Sequence, residues 1–104
     1  MKRFDVCLVM KNPEHGRVVD NLGLCTILSP DELIDLPSFI VAPMTTSRED
    51  IPSRVECEFE GLKGYIMVDQ IRTVEESSFI KKLGELELEV QVSLSDCLQE
   101  FFAL

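Results

Sequence analysis

The chain has 104 residues, of which 45% are hydrophobic and 28% charged, and a net charge of −9. That is enough for one domain, residues 1–104, with a single core, and no run of about 18 apolar residues offers a helical membrane span. So acidic a chain is a poor general nucleic-acid binder, because that affinity rests on Lys and Arg neutralising phosphates.

The opening residues, Met1-Lys2-Arg3-Phe4-Asp5, put an acid where a signal peptide needs its apolar stretch, so a soluble, cytoplasmic protein is expected. Phe4 to Met10 is an apolar run with strand propensity. Lys11 to Arg17 is polar with Pro and Gly and reads as a loop. Leu24 to Leu28 reads as a second strand, stopped at Ser29-Pro30, where a helical turn through Leu36 is expected with Ser29 as its cap. Phe39 to Ala42 reads as a third strand ended by Pro43, with Met44 to Arg48 as its polar exit. Val55 to Phe59 alternates as a half-buried strand, Gly61 to Gly64 reads as a hairpin turn, and Tyr65 to Val68 as the returning strand. Phe79-Ile80 leads to a break at Gly84.

The last segment carries two signals. Glu85 to Val92 alternates strictly, as a strand would. Val90, Leu94, Cys97, Leu98, Phe101 and Phe102 follow helical spacing, which predicts a helix over roughly the last fifteen residues, lying on the sheet. The fold class expected is mainly β within α+β: a small, strongly curved antiparallel sheet or barrel with a C-terminal helix.

Cys7, Cys25, Cys57 and Cys97 include no C-x-x-C pair, and His15 is the only histidine. This spacing does not supply a zinc site, so no metal and no cofactor is expected. The four are read as buried thiols. Charge is uneven: four basic and three acidic residues in the first thirty, against six and sixteen in the remainder. Any RNA contact is therefore expected near the first thirty residues or Arg72.

Three polar segments each follow an apolar strand: Asn12–Arg17, Met44–Arg48 and Asp69–Thr73. In a small barrel such exits can gather, offering His15, Arg17, Thr45, Thr46, Asp69 and Arg72. RNA cleavage uses such a list: a base for the 2′-OH proton, an acid for the leaving 5′-oxygen and a cation for the phosphorane. The bland alternatives are a solvated His15, turn hydroxyls at Thr45-Thr46 and a structural Asp69–Arg72 pair.

The blocks MKRFDVCLV, NPEHGR, LSP, VAPMTTS, GLKGYIMVDQIRTV and KKLGEL, in this order, resemble the MazF/PemK/Kid toxins of toxin–antitoxin systems. The resemblance implies an SH3-like sheet curled into a small barrel, a homodimer, metal-independent cleavage of single-stranded RNA at short motifs, and a cognate antitoxin covering the RNA groove. It matches Thr45 to the family's strand-exit hydroxyl and Asp69 to its acid. A histidine of some members aligns with Arg17, the family's key arginine with Gly23 and its following proline with Leu24. A basic residue two before the acid aligns with Met67. The roles expected are Arg17 as phosphate clamp, Thr45 as contact to the scissile phosphate and Asp69 as base or orienter, with His15, Thr46 and Arg72 along the substrate. Arg72 fits holding the loop better than chemistry, and the arginine role falls to Arg17 or Arg48. Two readings follow: an mRNA interferase weakened by Gly23, or a non-catalytic toxin-fold binding protein, such as a CcdB-like gyrase poison or an inactive remnant.

Overall fold

The computed structural model describes residues 1–10, 22–33, 35–46 and 53–103. Among the described residues seven strands and one α-helix follow in chain order: β1 (Asp5–Met10), β2 (Leu22–Ile27), β3 (Ser38–Thr45), β4 (Arg54–Phe59), β5 (Leu62–Met67), β6 (Arg72–Glu75), β7 (Phe79–Glu85) and α1 (Leu88–Phe101). All the strand pairings are antiparallel, in the order β4-β5-β3-β2-β1-β7, with β6 also on β3. The result is a curled half-barrel sheet with one C-terminal helix, the fold class expected from the sequence.

Side chains alternate across each strand, so one sheet serves two cores. Val6 of β1 faces a cluster with Ala42, Val55, Cys57, Ile66 and Leu94, onto which α1 packs Val90, Cys97 and Leu98. Its neighbours Cys7 and Val9 face the other way, against Cys25, Ile27, Phe39 and Val41. That second cluster is edged by Phe39 and Phe79 in a T-shaped contact at 5.2 Å. The helix matches the expected length and face through Leu98. Phe101 and Phe102 differ: both are exposed and lie edge-to-face on each other at the end of the helix.

Four further local expectations are corrected. β3 does not stop at Pro43 but runs to Thr45. Pro43 is the last β3 residue paired with β2, and pairing with β5 begins at Met44, so its missing amide falls where the strand changes partner. The β4–β5 hairpin turns on Glu60-Gly61 alone, with φ of 51° and 80° and Phe59 opposite Leu62. Two consecutive positive φ values define the tight turn that suits strand twist, so Leu62, Lys63 and Gly64 belong to β5. Gly84 does not break β7. A Cβ there would sit 3.0 Å from the Phe59 ring, so the glycine gives that ring room. Finally, Ser29 does not cap a helix: its hydroxyl accepts the Ile40 amide at 2.6 Å, and the expected helical turn is a 3₁₀ turn over Asp31–Leu33.

β7 is an edge strand and is irregular. Its register against β1 shifts between Val6 and Cys7 and again between Leu8 and Val9. Such bulges, with Lys81 and Lys82 on the strand, blunt an edge that could otherwise template pairing.

Asp5 fastens this edge. It is 1% exposed. Its carboxylate accepts the Lys2 amide at 2.7 Å and sits 3.3 Å from Lys82 Nζ, which also meets Glu85 at 3.2 Å. The hydrogen bonds that Lys82 donates to Glu85 and to Asp5 push its ammonium up. That contribution is complete at neutral pH and is lost only as pH rises through the lysine's own titration. Asp5→Ala strands the Lys2 amide and removes a charged acceptor. We expect a loss of about 2 kcal/mol, read as a lower urea midpoint with unchanged slope.

Candidate functional site

The two strand exits that carry the family-like polar residues both depend on β3. At its C-terminal end Thr45 stands opposite Tyr65 of β5 and is half-buried, with Thr46 exposed beyond it. The backbones approach closely here: a Cβ on Gly64 would come within 2.9 Å of the Thr45 carbonyl oxygen. Beside this contact lies a cavity of about 160 Å³, lined by apolar residues such as Leu24, Met44 and Phe59 together with Thr45, Thr46 and Lys63.

The second exit follows β5. Val68–Gln70 forms a single 3₁₀ turn, with Val68 buried and Asp69 exposed. The sequence led us to expect a loop from Asp69 to Thr73. Instead β6 begins at Arg72, because this stretch finds the free edge of β3, with Arg72 opposite Val41 and Thr73 opposite Ile40. β5 and β6 thus share one edge of β3, and the Asp69 turn bridges them.

The start of β4 clamps this turn. The Val68 amide donates to the Ser53 carbonyl at 3.0 Å. The Ser53 hydroxyl donates to Asp69 Oδ1 at 3.2 Å, and Arg54 Nε reaches the same oxygen at 3.4 Å. Desolvation alone pushes the Asp69 carboxyl up. Hydrogen bonds from Arg54, its own backbone and Ser53, together with the Arg54 charge, outweigh it and hold the group below the usual carboxylate range. The stability this carries is present above the ordinary aspartate range and is lost as pH falls through the lowered value.

Arg54 is the residue that sequence reasoning missed. Its signal was present but hidden by the hairpin: with the turn at Glu60-Gly61, Arg54 falls directly opposite Met67, two residues before Asp69. Arg72 is exposed on β6, and its charge acts on the Cys25 thiol across β3. Asp69 has Arg54, not Arg72, as its ion-pair partner. Gly23 lies in β2 opposite Val9, and Leu24 opposite Leu8. His15, Arg17 and Arg48 lie outside the described residues.

Thr45 and Asp69 are not in contact. β3 and β5 run in opposite directions, so their exits point to opposite ends of the pair. Thr45 opposes Tyr65, four residues before Asp69, a separation on the order of 10 Å at about 3.3 Å per strand residue. The two sites could serve neighbouring parts of one extended ligand, but not one atom directly.

The family model for PemK-like, MazF-like toxins of type II toxin–antitoxin systems matches residues 2–102. The chain belongs to this toxin family. No curated protein sequence matches it. Solved structures are similar throughout its length. A structure of MazE–MazF from Deinococcus radiodurans matches at 17% identity over 100% of this chain and 96% of that one, with a TM-score of 0.84. An endoribonuclease in complex with its cognate antitoxin, from mycobacterial species, matches at 20% identity over 100% and 96%, with a TM-score of 0.82. The Mycobacterium tuberculosis toxin MazF-mt6 matches at 16% identity over 96% and 97%, with a TM-score of 0.77. At these identities the likeness is one of fold.

The toxin fold here depends on the Gly64–Thr45 approach, where the obstructing atom is backbone rather than a movable side-chain tip. Gly64→Ala forces β5 away from the Thr45 exit. We expect a cost of about 1–3 kcal/mol, measured as a lower thermal midpoint, with amide shifts in NMR spectra centred on Thr45 and Thr46.

Proposed function

We propose that this chain is the toxin of a toxin–antitoxin pair and acts as a metal-independent endoribonuclease on single-stranded RNA in the cytoplasm, with residues 1–104 as its single domain. The observation that carries the reading is Asp69: the residue matching the family's acid stands exposed at the exit of β5, held ionised by Arg54 and Ser53. In the reaction, Asp69 takes the proton of a 2′-hydroxyl, the 2′-oxygen bonds to phosphorus as the bond from phosphorus to the 5′-oxygen breaks, leaving a 2′,3′-cyclic phosphate, and the departing 5′-oxygen takes a proton from water. Thr45 contacts the scissile phosphate, Arg17 clamps phosphate, and His15, Thr46 and Arg72 line the strand. The partner proposed for the RNA-free toxin is a cognate antitoxin. It is supported by the family, whose members work in such pairs, and by a similar mycobacterial endoribonuclease solved with its own antitoxin.

Gly23 and the net charge of −9 favour a second reading, in which the fold binds another protein, gyrase included, without cutting RNA. Glycine offers no donor for developing phosphorane charge, a loss worth on the order of 10²–10³ in rate where one such donor is removed. One experiment separates the readings. Purified protein is incubated with single-stranded RNA in excess chelator, beside Asp69→Ala. Cleavage by wild type and none by a folded Asp69→Ala is expected. Equal cutting by both would reduce Asp69 to a turn residue, and no cutting by wild type would leave the binding reading.

A homodimer is also proposed. Leu88 and Val92, one helical turn apart on α1, are 73% and 54% exposed, and apolar residues stacked at this spacing are the expected mark of a helix with a partner. Sedimentation at tens of micromolar should give twice the chain mass; a single-chain mass there refutes the dimer.

A further inference from the structure

We propose that Arg54 is the positioning residue for Asp69, supplying from the opposite strand the cation that Met67 cannot. The inference rests on the ribonuclease reading and adds a residue to it. Arg54 and Met67 are direct cross-strand partners. Residues so paired project from the same face with Cβ atoms about 5 Å apart. A guanidinium sent from position 54 therefore occupies space that a basic side chain at position 67 would fill, and here it arrives 3.4 Å from Asp69 Oδ1.

The exposures divide the labour. The Arg54 side chain is 7% exposed and that of Asp69 29%. The cation is too covered to meet a bulky phosphodiester directly, while the carboxylate is open to one. Arg54 acts through Asp69. Both side-chain contacts, from Arg54 and Ser53, go to Oδ1. A hydrogen bond from Asp69's own backbone adds to these in holding the carboxylate. The Val68 amide bonded to the Ser53 carbonyl fixes the turn itself, so the carboxylate is held at both its backbone and its side chain.

The charged surroundings make Arg54 the control. Three elements pack against the turn: β3, β4 and α1. β3 carries no charged or titratable side chain, β4 carries Arg54, Glu56, Cys57 and Glu58, and α1 carries Glu89, Asp96, Cys97 and Glu100. Of these only Arg54 bonds the Asp69 carboxylate. Its removal takes from the carboxylate a hydrogen bond and the one charge that acts on it among the described residues, and the protonated form gains.

The test is the pH profile of the initial cleavage rate on a random-sequence single-stranded RNA pool, for wild type, Arg54→Gln and Arg54→Lys. Arg54→Gln should lower the plateau rate tenfold or more and move the acidic limb to higher pH, because the base protonates more readily. Arg54→Lys should return the limb toward its wild-type position, since the charge is restored, with a plateau still below wild type because the fork is lost. Circular dichroism reports folding, and Arg54→Met, which keeps the apolar stem, replaces Arg54→Gln if the latter is unfolded. An active wild type whose folded Arg54 variants keep both plateau and limb overturns this inference alone. A wild type that cuts no RNA overturns the ribonuclease reading and this inference with it.

Discussion

β3 is the strand on which the rest of the structure depends. One edge pairs with β2; the other is divided between β5, at Met44 and Thr45, and β6, from Ser38 to Val41. A strand bonded on both edges to three partners cannot lie flat, and the curl of the sheet follows from serving them all. Its side chains are divided in the same way. Ala42 faces the core beneath α1, and Phe39 and Val41 face the core on the other side. A disturbance of β3 therefore reaches both cores, whereas one in β7 or β4 starts at an edge.

The exits of β3 and β5 inherit this arrangement. Because the pair is antiparallel, the hydroxyl at Thr45 and the acid at Asp69 stand at opposite ends of their contact. That geometry suits a long flexible ligand laid along the sheet better than a small one held at a point. The apolar cavity beside Thr45 extends the same surface. The acid is firmly placed, since Ser53 and Arg54 hold it from the start of β4 while β5 delivers it.

Much of the fold was legible in the sequence because burial writes a strong pattern. The apolar runs around Val6, Cys25, Val41 and Ile66 are core strands, and the Val90, Leu94, Cys97, Leu98 stripe is the seat of the helix. Glycine and proline misled. Gly64 and Gly84 look like chain punctuation in the sequence, yet each sits in a strand, where a Cβ would press on the Thr45 carbonyl in one case and crowd the Phe59 ring in the other. Proline at position 43 was read as a stop, although a strand can accept it where pairing passes from one neighbour to another. The most consequential miss was the hairpin. A four-residue turn at Gly61–Gly64 would set Arg54 against Ile71; the two-residue turn sets it against Met67. The acid of the candidate site was thus visible in the sequence and its cation was not, because register is a property of the pair of strands and a two-residue error displaces every partner.

Cys7 and Cys25 face each other across β1 and β2, both buried. Burial, helped by the Asp5 charge, pushes the Cys7 thiol up to about 11, and burial, helped by Cys7, pushes Cys25 up to about 12. Only the thiolate attacks disulfides and oxidants, so at neutral pH both thiols rest in the unreactive, protonated form. The two thiols are cross-strand partners, and both are held in the protonated form. Burial thus gives this pair of strands a chemical quietness that follows from packing, since oxidants meet the two sulfurs as thiols while the sheet is folded.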